Sequence, residues 1–225
     1  MKNSGDWRHS LSKVIAIDGP SGAGKSSVSR LVAGWLGYQY LDTGALYRAL
    51  ALHLTKKGVG ADAADSVIAD AAQDADIKLE GEKVLLNGED VSEAIRTPDA
   101  GHFASVFSAR KSVREYLFVM QKAAGRDFNI VAEGRDMTTV VFPDAAIKIY
   151  LDASEQGRAL RRYHQLNGNG MSITMEEALK DVRERDFRDK NRDIAPLTRA
   201  DDAVYIDSTN MSIEKVVDLI VRMAK

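Results

Sequence analysis

Residues Gly19-Pro20-Ser21-Gly22-Ala23-Gly24-Lys25-Ser26 constrain this chain more than any other stretch, because they match G-x-x-x-x-G-K-[ST]. So short a motif depends on its flanks. Upstream, Val14-Ile15-Ala16-Ile17 is a β-branched apolar run, the composition of a buried parallel strand. Downstream, Val28, Leu31, Val32, Trp35 and Leu36 recur at helical spacing and Gly37 supplies a stop. Strand, glycine loop, helix is the order a phosphate-binding loop needs. The glycines turn backbone N–H groups inward, and the new helix directs its positive end at the anion. Lys25 adds a cation for the β- and γ-phosphates, and the Ser26 hydroxyl a ligand for Mg²⁺. A nucleoside triphosphate is the expected ligand.

The rest of the chain alternates strand and helix. Tyr38–Leu41 reads as a second strand, running into a helix through Leu46, Ala49, Leu50 and Leu54 that closes near Gly58. A polar, alanine-rich helix is expected over Asp62 to Asp74. The pattern then changes to short segments, 77–80, 83–86 and 89–91, separated by Gly81-Glu82 and Asn87-Gly88. Asn-Gly between strands is a strong hairpin signal, so a small antiparallel sheet is expected as an insertion. Thr97-Pro98 opens a helix, and a second one runs through Val113, Leu117 and Met120 to about Gly125. Strands are expected over 129–133, 146–151 and 204–207, with a terminal helix through Ile213, Val216, Val217 and Ile220. Asp152 with Glu155, and Thr174 with Glu177, carry capping-box spacing, and Asn167-Gly168-Asn169-Gly170 reads as a loop. The fold class is α/β: a parallel five-stranded P-loop core flanked by helices, with an inserted small antiparallel sheet and a helical lid. The expected divisions are a core of 13–60, 126–160 and 194–225, an acceptor-binding insertion of about 61–125, and a lid of about 161–193.

The 225 residues suffice for a buried core, and 44% apolar with 28% charged residues describe a globular protein. Lys and Arg number 31 against 33 Asp and Glu, so no basic excess points to nucleic acid or an anionic membrane. The chain has no cysteine, which removes disulfides and thiolate chemistry. Met1 to Ser12 lacks the apolar segment of a signal peptide, so the cytoplasm is the expected location.

Against that near-neutral background the arginines cluster. Arg48 and Arg135 follow strand ends, where parallel sheets bind ligands beside the phosphate loop. Arginine presents a planar fork that fits phosphate. In the tract 183–193, Arg185, Asp189 and Arg192 fall on one helical face, and Arg158, Arg161 and Arg162 crowd the preceding helix. Two such helices suit a flap over transferring phosphates.

Read together, the phosphate loop, Asp42-Thr43-Gly44-Ala45-Leu46-Tyr47-Arg48, and Glu133-Gly134-Arg135-Asp136-Met137-Thr138-Thr139 with its continuation to Ala145 resemble the bacterial cytidylate kinases. Arg185-Asp186, Asn191-Arg192, Ala195-Pro196-Leu197, Asp207-Ser208-Thr209 and the inserted sheet agree, in matching order from about Val14 onward. The resemblance implies that Gly19 to Ser27 hold ATP and that Arg48 and Arg135 hold the acceptor phosphate, with Thr43 and Tyr47 beside them. It implies that Ser105, Arg114 and Asp136 meet cytosine, that Arg185 and Asp189 meet the ribose, and that Arg192 lies near the acceptor. Lys25, Arg48, Arg135, Arg185 and Arg192 would be the catalytic cations, CMP and dCMP the acceptors, ATP and Mg²⁺ the co-substrate and metal, and the enzyme a monomer. Thr43 departs from the family's frequent serine, and Glu133 from its common aspartate; both keep the functional group.

That set is chemically coherent. A carboxylate at Asp136 accepts from the cytosine amino group, while Arg114 and Ser105 donate to its ring acceptors; uracil would set acceptor against acceptor. The acceptor is already a phosphate oxygen, so no general base is needed. Shikimate and dephospho-coenzyme-A kinases share the loop, but the inserted sheet and Asp136 argue against them. A nucleotide switch would need a water-positioning residue, for which no candidate stands out.

Overall fold

Strand β1 (Val14–Asp18) is buried along its whole length, as a strand covered on both faces must be. In the computed structural model, which describes residues 13–168 and 170–225, it is the centre of a five-stranded sheet. The other strands are β2 (Gln39–Asp42), β6 (Ile130–Gly134), β7 (Ile147–Asp152) and β8 (Val204–Asp207). Their order is β2-β6-β1-β7-β8, and every pairing is parallel. The reading of Met1 to Ser12 lies outside the described residues, as does Asn169.

Strand alternation divides the core. Ile15 and Ile17 pack with Val28 and Val32 of α1 (Lys25–Leu36) and with Val217 and Ile220 of α8 (Ile213–Ala224). Val14 and Ala16 face a second cluster that includes Leu46, Leu50 and Leu54 of α2 (Thr43–Lys56), Ile68 of α3 (Asp65–Ala72) and Leu117 of α5 (Lys111–Asp127). The inserted sheet, β3 (Ile77–Glu80), β4 (Lys83–Leu86) and β5 (Glu89–Asp90), is antiparallel. Its turn is the expected one, with Asn87 and Gly88 both at positive φ. Ile77, Val84 and Leu86 of this sheet belong to the second cluster, so the insertion shares its core with the main sheet.

Three local expectations need correction. The helix foreseen over Asp62 to Asp74 is confined to α3, because only Ile68 and Ala72 of that helix are buried and little apolar burial supports further turns. At the start of α6 (Glu155–Gly168) the cap is Ser154, whose hydroxyl accepts from Gly157 N, whereas Asp152 turns its carboxylate to Ala153 N. Asn167 and Gly168, read as loop, complete the last turn of α6, where the Asn167 side chain bonds Tyr163 O and Ile173. The Thr174–Glu177 capping box does open α7 (Met175–Asn191). α6 runs without a break across 160–161, where the lid was expected to begin.

The carboxyl ends of the parallel strands converge on one edge, which carries the phosphate loop, the start of α2 and the turn after β6. That turn is a short π-helical segment, Met137–Val141, a geometry frequent at functional sites. Among the described residues no helix is long and apolar enough to cross a membrane.

Candidate active site

Gly19 begins the phosphate loop at φ 153, and a Cβ there would stand 1.9 Å from the carbonyl oxygen of Leu151, so only glycine fits. The loop closes on the first turn of α1. Lys25 is buried, and its Nζ donates to the carbonyls of Gly19 and Pro20, both at 2.8 Å. Burial, reinforced by the charge of Arg135, pulls its ammonium down to about 7. Ser26 and Ser27 are exposed at the helix start. The loop is tied from behind: Arg158 Nη1 donates to Ser21 O at 2.9 Å and to Asp186 Oδ2 at 2.6 Å, while Asp186 Oδ1 accepts from Ser21 N. Arg158 was expected in the flap; it fastens the loop instead, whereas Arg161 and Arg162 do face the cavity.

That cavity, about 660 Å³, is lined by Ser21 through Ser27 on one side. The other side carries Thr43, Tyr47, Arg48, Ser105, Arg114, Arg135, Asp136, Arg185, Asp189 and Arg192. Every site residue expected from the sequence is therefore brought together except Gly19 and Pro20, which lie behind the loop and hold Lys25.

The acceptor side is a lattice of arginines and carboxylates. Asp42 caps α2 through Ala45 N and reaches Arg48 Nη2 at 3.5 Å. Arg135 Nε donates to Asp189 Oδ2 at 2.6 Å. Asp136 contacts Arg114 and lies 3.8 Å from Arg192. Burial works against the Arg135 charge, but Asp189, Glu133 and Asp186 outweigh it and hold the guanidinium above its ordinary value. Burial draws Arg192 and Arg185 below theirs. A Cβ on Gly101 would fall 2.6 Å from Arg185 Nη2, so glycine in α4 (Pro98–Phe107) gives that arginine its room. Arg48 Nε and Arg192 Nη2 are buried without a hydrogen-bond partner among the described residues. Buried unpaired donors are costly, and an anionic ligand would satisfy them.

Two further residues escaped the reading of the sequence. Asp18, fully buried at the end of β1, accepts from Met137 N, Thr138 N and the Thr138 hydroxyl, and so holds the turn that presents Arg135 and Asp136. Its only signal was a charge closing an apolar strand. Glu133, noted only as a departure from the family, accepts from the Tyr40 hydroxyl at 2.7 Å, while its carbonyl accepts from Thr43. Among the described residues no group of three acidic or histidine side chains could hold a metal by itself. A Mg²⁺ bridging phosphates needs only one or two protein oxygens, and the exposed Ser26 hydroxyl in the cavity fits that demand.

A lysine-bearing phosphate loop on a parallel sheet, opposite an arginine-lined acceptor pocket, defines a P-loop kinase. The family model for cytidylate kinase matches residues 15–225, and the chain belongs to that family. A cytidylate kinase of Fervidobacterium nodosum is 47% identical over 94% of this chain and 95% of its own length. One of Thermodesulfovibrio yellowstonii is 48% identical over 94% of this chain and 97% of its own. Among solved structures, an uncharacterized protein from Eubacterium ventriosum aligns with a TM-score of 0.51 at 13% identity, covering 93% of this chain and 96% of that one, a likeness of fold alone.

Proposed function

We propose that the protein transfers the γ-phosphoryl group of ATP to CMP and dCMP, giving CDP and dCDP, as a monomer in the cytoplasm. The observation that carries this reading is the Arg114–Asp136 pair at the acceptor end of the cavity. It sets a donor fork beside a carboxylate, the complement of cytosine's ring acceptors and amino donor. Arg185 and Asp189 stand where a ribose would lie, with Arg48 and Arg135 on the acceptor phosphate. Lys25 and the backbone N–H groups of Gly22 to Ser27 take the ATP phosphates, the Ser21 N–H being held by Asp186. With the two phosphates aligned, an acceptor oxygen attacks the γ-phosphorus in line, and Arg135, Arg185 and Arg192 stabilise the charge spreading over the transferring group. Ser26 would hold Mg²⁺, which supplies neutralisation of the β- and γ-phosphate oxygens. Family membership supports the same acceptor over shikimate or dephospho-coenzyme A.

The test is ADP release from ATP and Mg²⁺ with CMP, dCMP, UMP, AMP, shikimate or no acceptor. Fast release confined to CMP and dCMP is expected. Equal release without acceptor would make the protein a nucleotide switch, and equal activity on AMP or shikimate would discard the cytosine site.

A further inference from the structure

Arg188 has no part in the chemistry above. It lies on α7, three residues past Arg185, and its side chain is only partly exposed. Its Nε donates to the hydroxyl oxygen of Ser105 on α4, at 3.0 Å. Ser105 lines the cavity together with Arg114 and Asp136. Among the described residues the Ser105 hydroxyl is seen only as an acceptor, from Arg188, and the neighbouring Ser108 hydroxyl donates to the Ser105 carbonyl.

We infer that Arg188 positions the Ser105 hydroxyl as a hydrogen-bond donor toward the base and thereby helps select cytosine over uracil. This rests on the reading that Ser105 meets the base. A free serine hydroxyl rotates and serves equally as donor or acceptor, so by itself it does not distinguish the bare N3 of cytosine from the N3–H of uracil. A guanidinium has five donors and no acceptor. Bonded to Arg188, the Ser105 oxygen must spend a lone pair on that N–H, and the cation turns the hydroxyl hydrogen away from itself, toward the cavity. A ring acceptor is then matched, and a ring N–H meets hydrogen against hydrogen. The positive charge also makes the hydroxyl a better donor. Arg188 thus adds a second selective contact to the one made by Asp136, working through a residue on a different element.

A purely structural tie between α4 and α7 would act on both acceptors alike, so the readout is the ratio of kcat/KM for CMP to that for UMP. Arg188→Met keeps the stem and removes the donor; because the side chain is part-exposed and the carboxylate paired with it among the described residues, the exposed Glu184, is 4.0 Å away, no buried charge is stranded. The ratio should fall about tenfold, the equivalent of one hydrogen bond, with melting temperature and KM for ATP unchanged. Arg188→Lys, again a donor without an acceptor, should restore most of it. In a Ser105→Ala background Arg188→Met should change the ratio no further. An unchanged ratio in Arg188→Met, or equal losses on both acceptors, overturns the inference, as does an undiminished effect without Ser105. If Ser105→Ala alone leaves the ratio untouched, the placement of Ser105 at the base fails, and Arg188's role with it. A wild-type enzyme that does not prefer CMP would instead defeat the functional reading.

Discussion

Burial, with the positive charge of Arg135 behind it, pulls Lys25 down to about 7, so well above neutrality the free protein carries mostly neutral amine there. ATP brings phosphate oxygens to the same nitrogen and restores its proton. Binding of ATP should therefore take up a proton, approaching about one at pH ~8 and vanishing as pH falls below ~6. Calorimetry in buffers of different ionisation enthalpy reads this directly, with Lys25→Met as the variant that lacks it. Equal uptake by both proteins would place the proton elsewhere. Asp136 allows a second test at this scale. Asp136→Asn exchanges a carboxylate acceptor for an amide that can turn its NH₂ toward uracil O4, so the preference for CMP over UMP should erode by about tenfold or more in kcat/KM. An unchanged preference would remove Asp136 from base recognition.

At the scale of elements, the turn after β6 decides whether Arg135 and Asp136 are presented at all, and Asp18 holds that turn with three acceptor contacts. Asp18→Asn replaces one acceptor by a donor facing a backbone N–H. It should cost about 1–3 kcal/mol of stability and raise KM for CMP more than for ATP. Burial raises the Asp18 carboxyl from 3.8 to about 6, so between those values the folded state binds more protons than the unfolded one. Its contribution is complete below 3.8 and is lost as pH rises through about 6, so the wild type's advantage in melting temperature over Asp18→Asn should shrink across that interval. A constant difference would contradict the assignment.

The same turn shows what the sequence could and could not disclose. The strands, the Asn87-Gly88 hairpin and the Thr174 capping box were legible because their signals are local: apolar periodicity, two turn residues, one capping pair. The phosphate loop and the blocks 42–48 and 133–136 were legible as contiguous runs at strand ends, whereas Ser105 and Arg114 sit on helices and were expected from the family resemblance alone. Asp18 was not, because its partners lie more than a hundred positions away. The Ser21–Arg158–Asp186 fastening likewise joins three distant segments: helical spacing in the tract 183–193 marked Arg185, Asp189 and Arg192 as one face but gave no sign that Asp186 turns inward. The π-helical turn has no periodic signature at all. Asp152 showed capping-box spacing but ends a strand, and Ser154, nearer the helix, took the role.

For the whole molecule, the decisive feature is that one cavity joins the two halves. Ser208, Met211, Ile213 and Val216 line the same cavity as Lys25, Arg135, Arg114 and Asp136. A single cavity lined by both groups of residues can hold the two nucleotides with their phosphates facing each other at Lys25 and Arg135. The most direct measurement is inhibition by adenosine and cytidine joined 5′ to 5′ through a pentaphosphate. It should compete with ATP and with CMP alike, and its uridine counterpart should bind more weakly. Competition against only one of the two substrates would mean that ATP and the acceptor do not share this cavity, and the proposed transfer would fail with it.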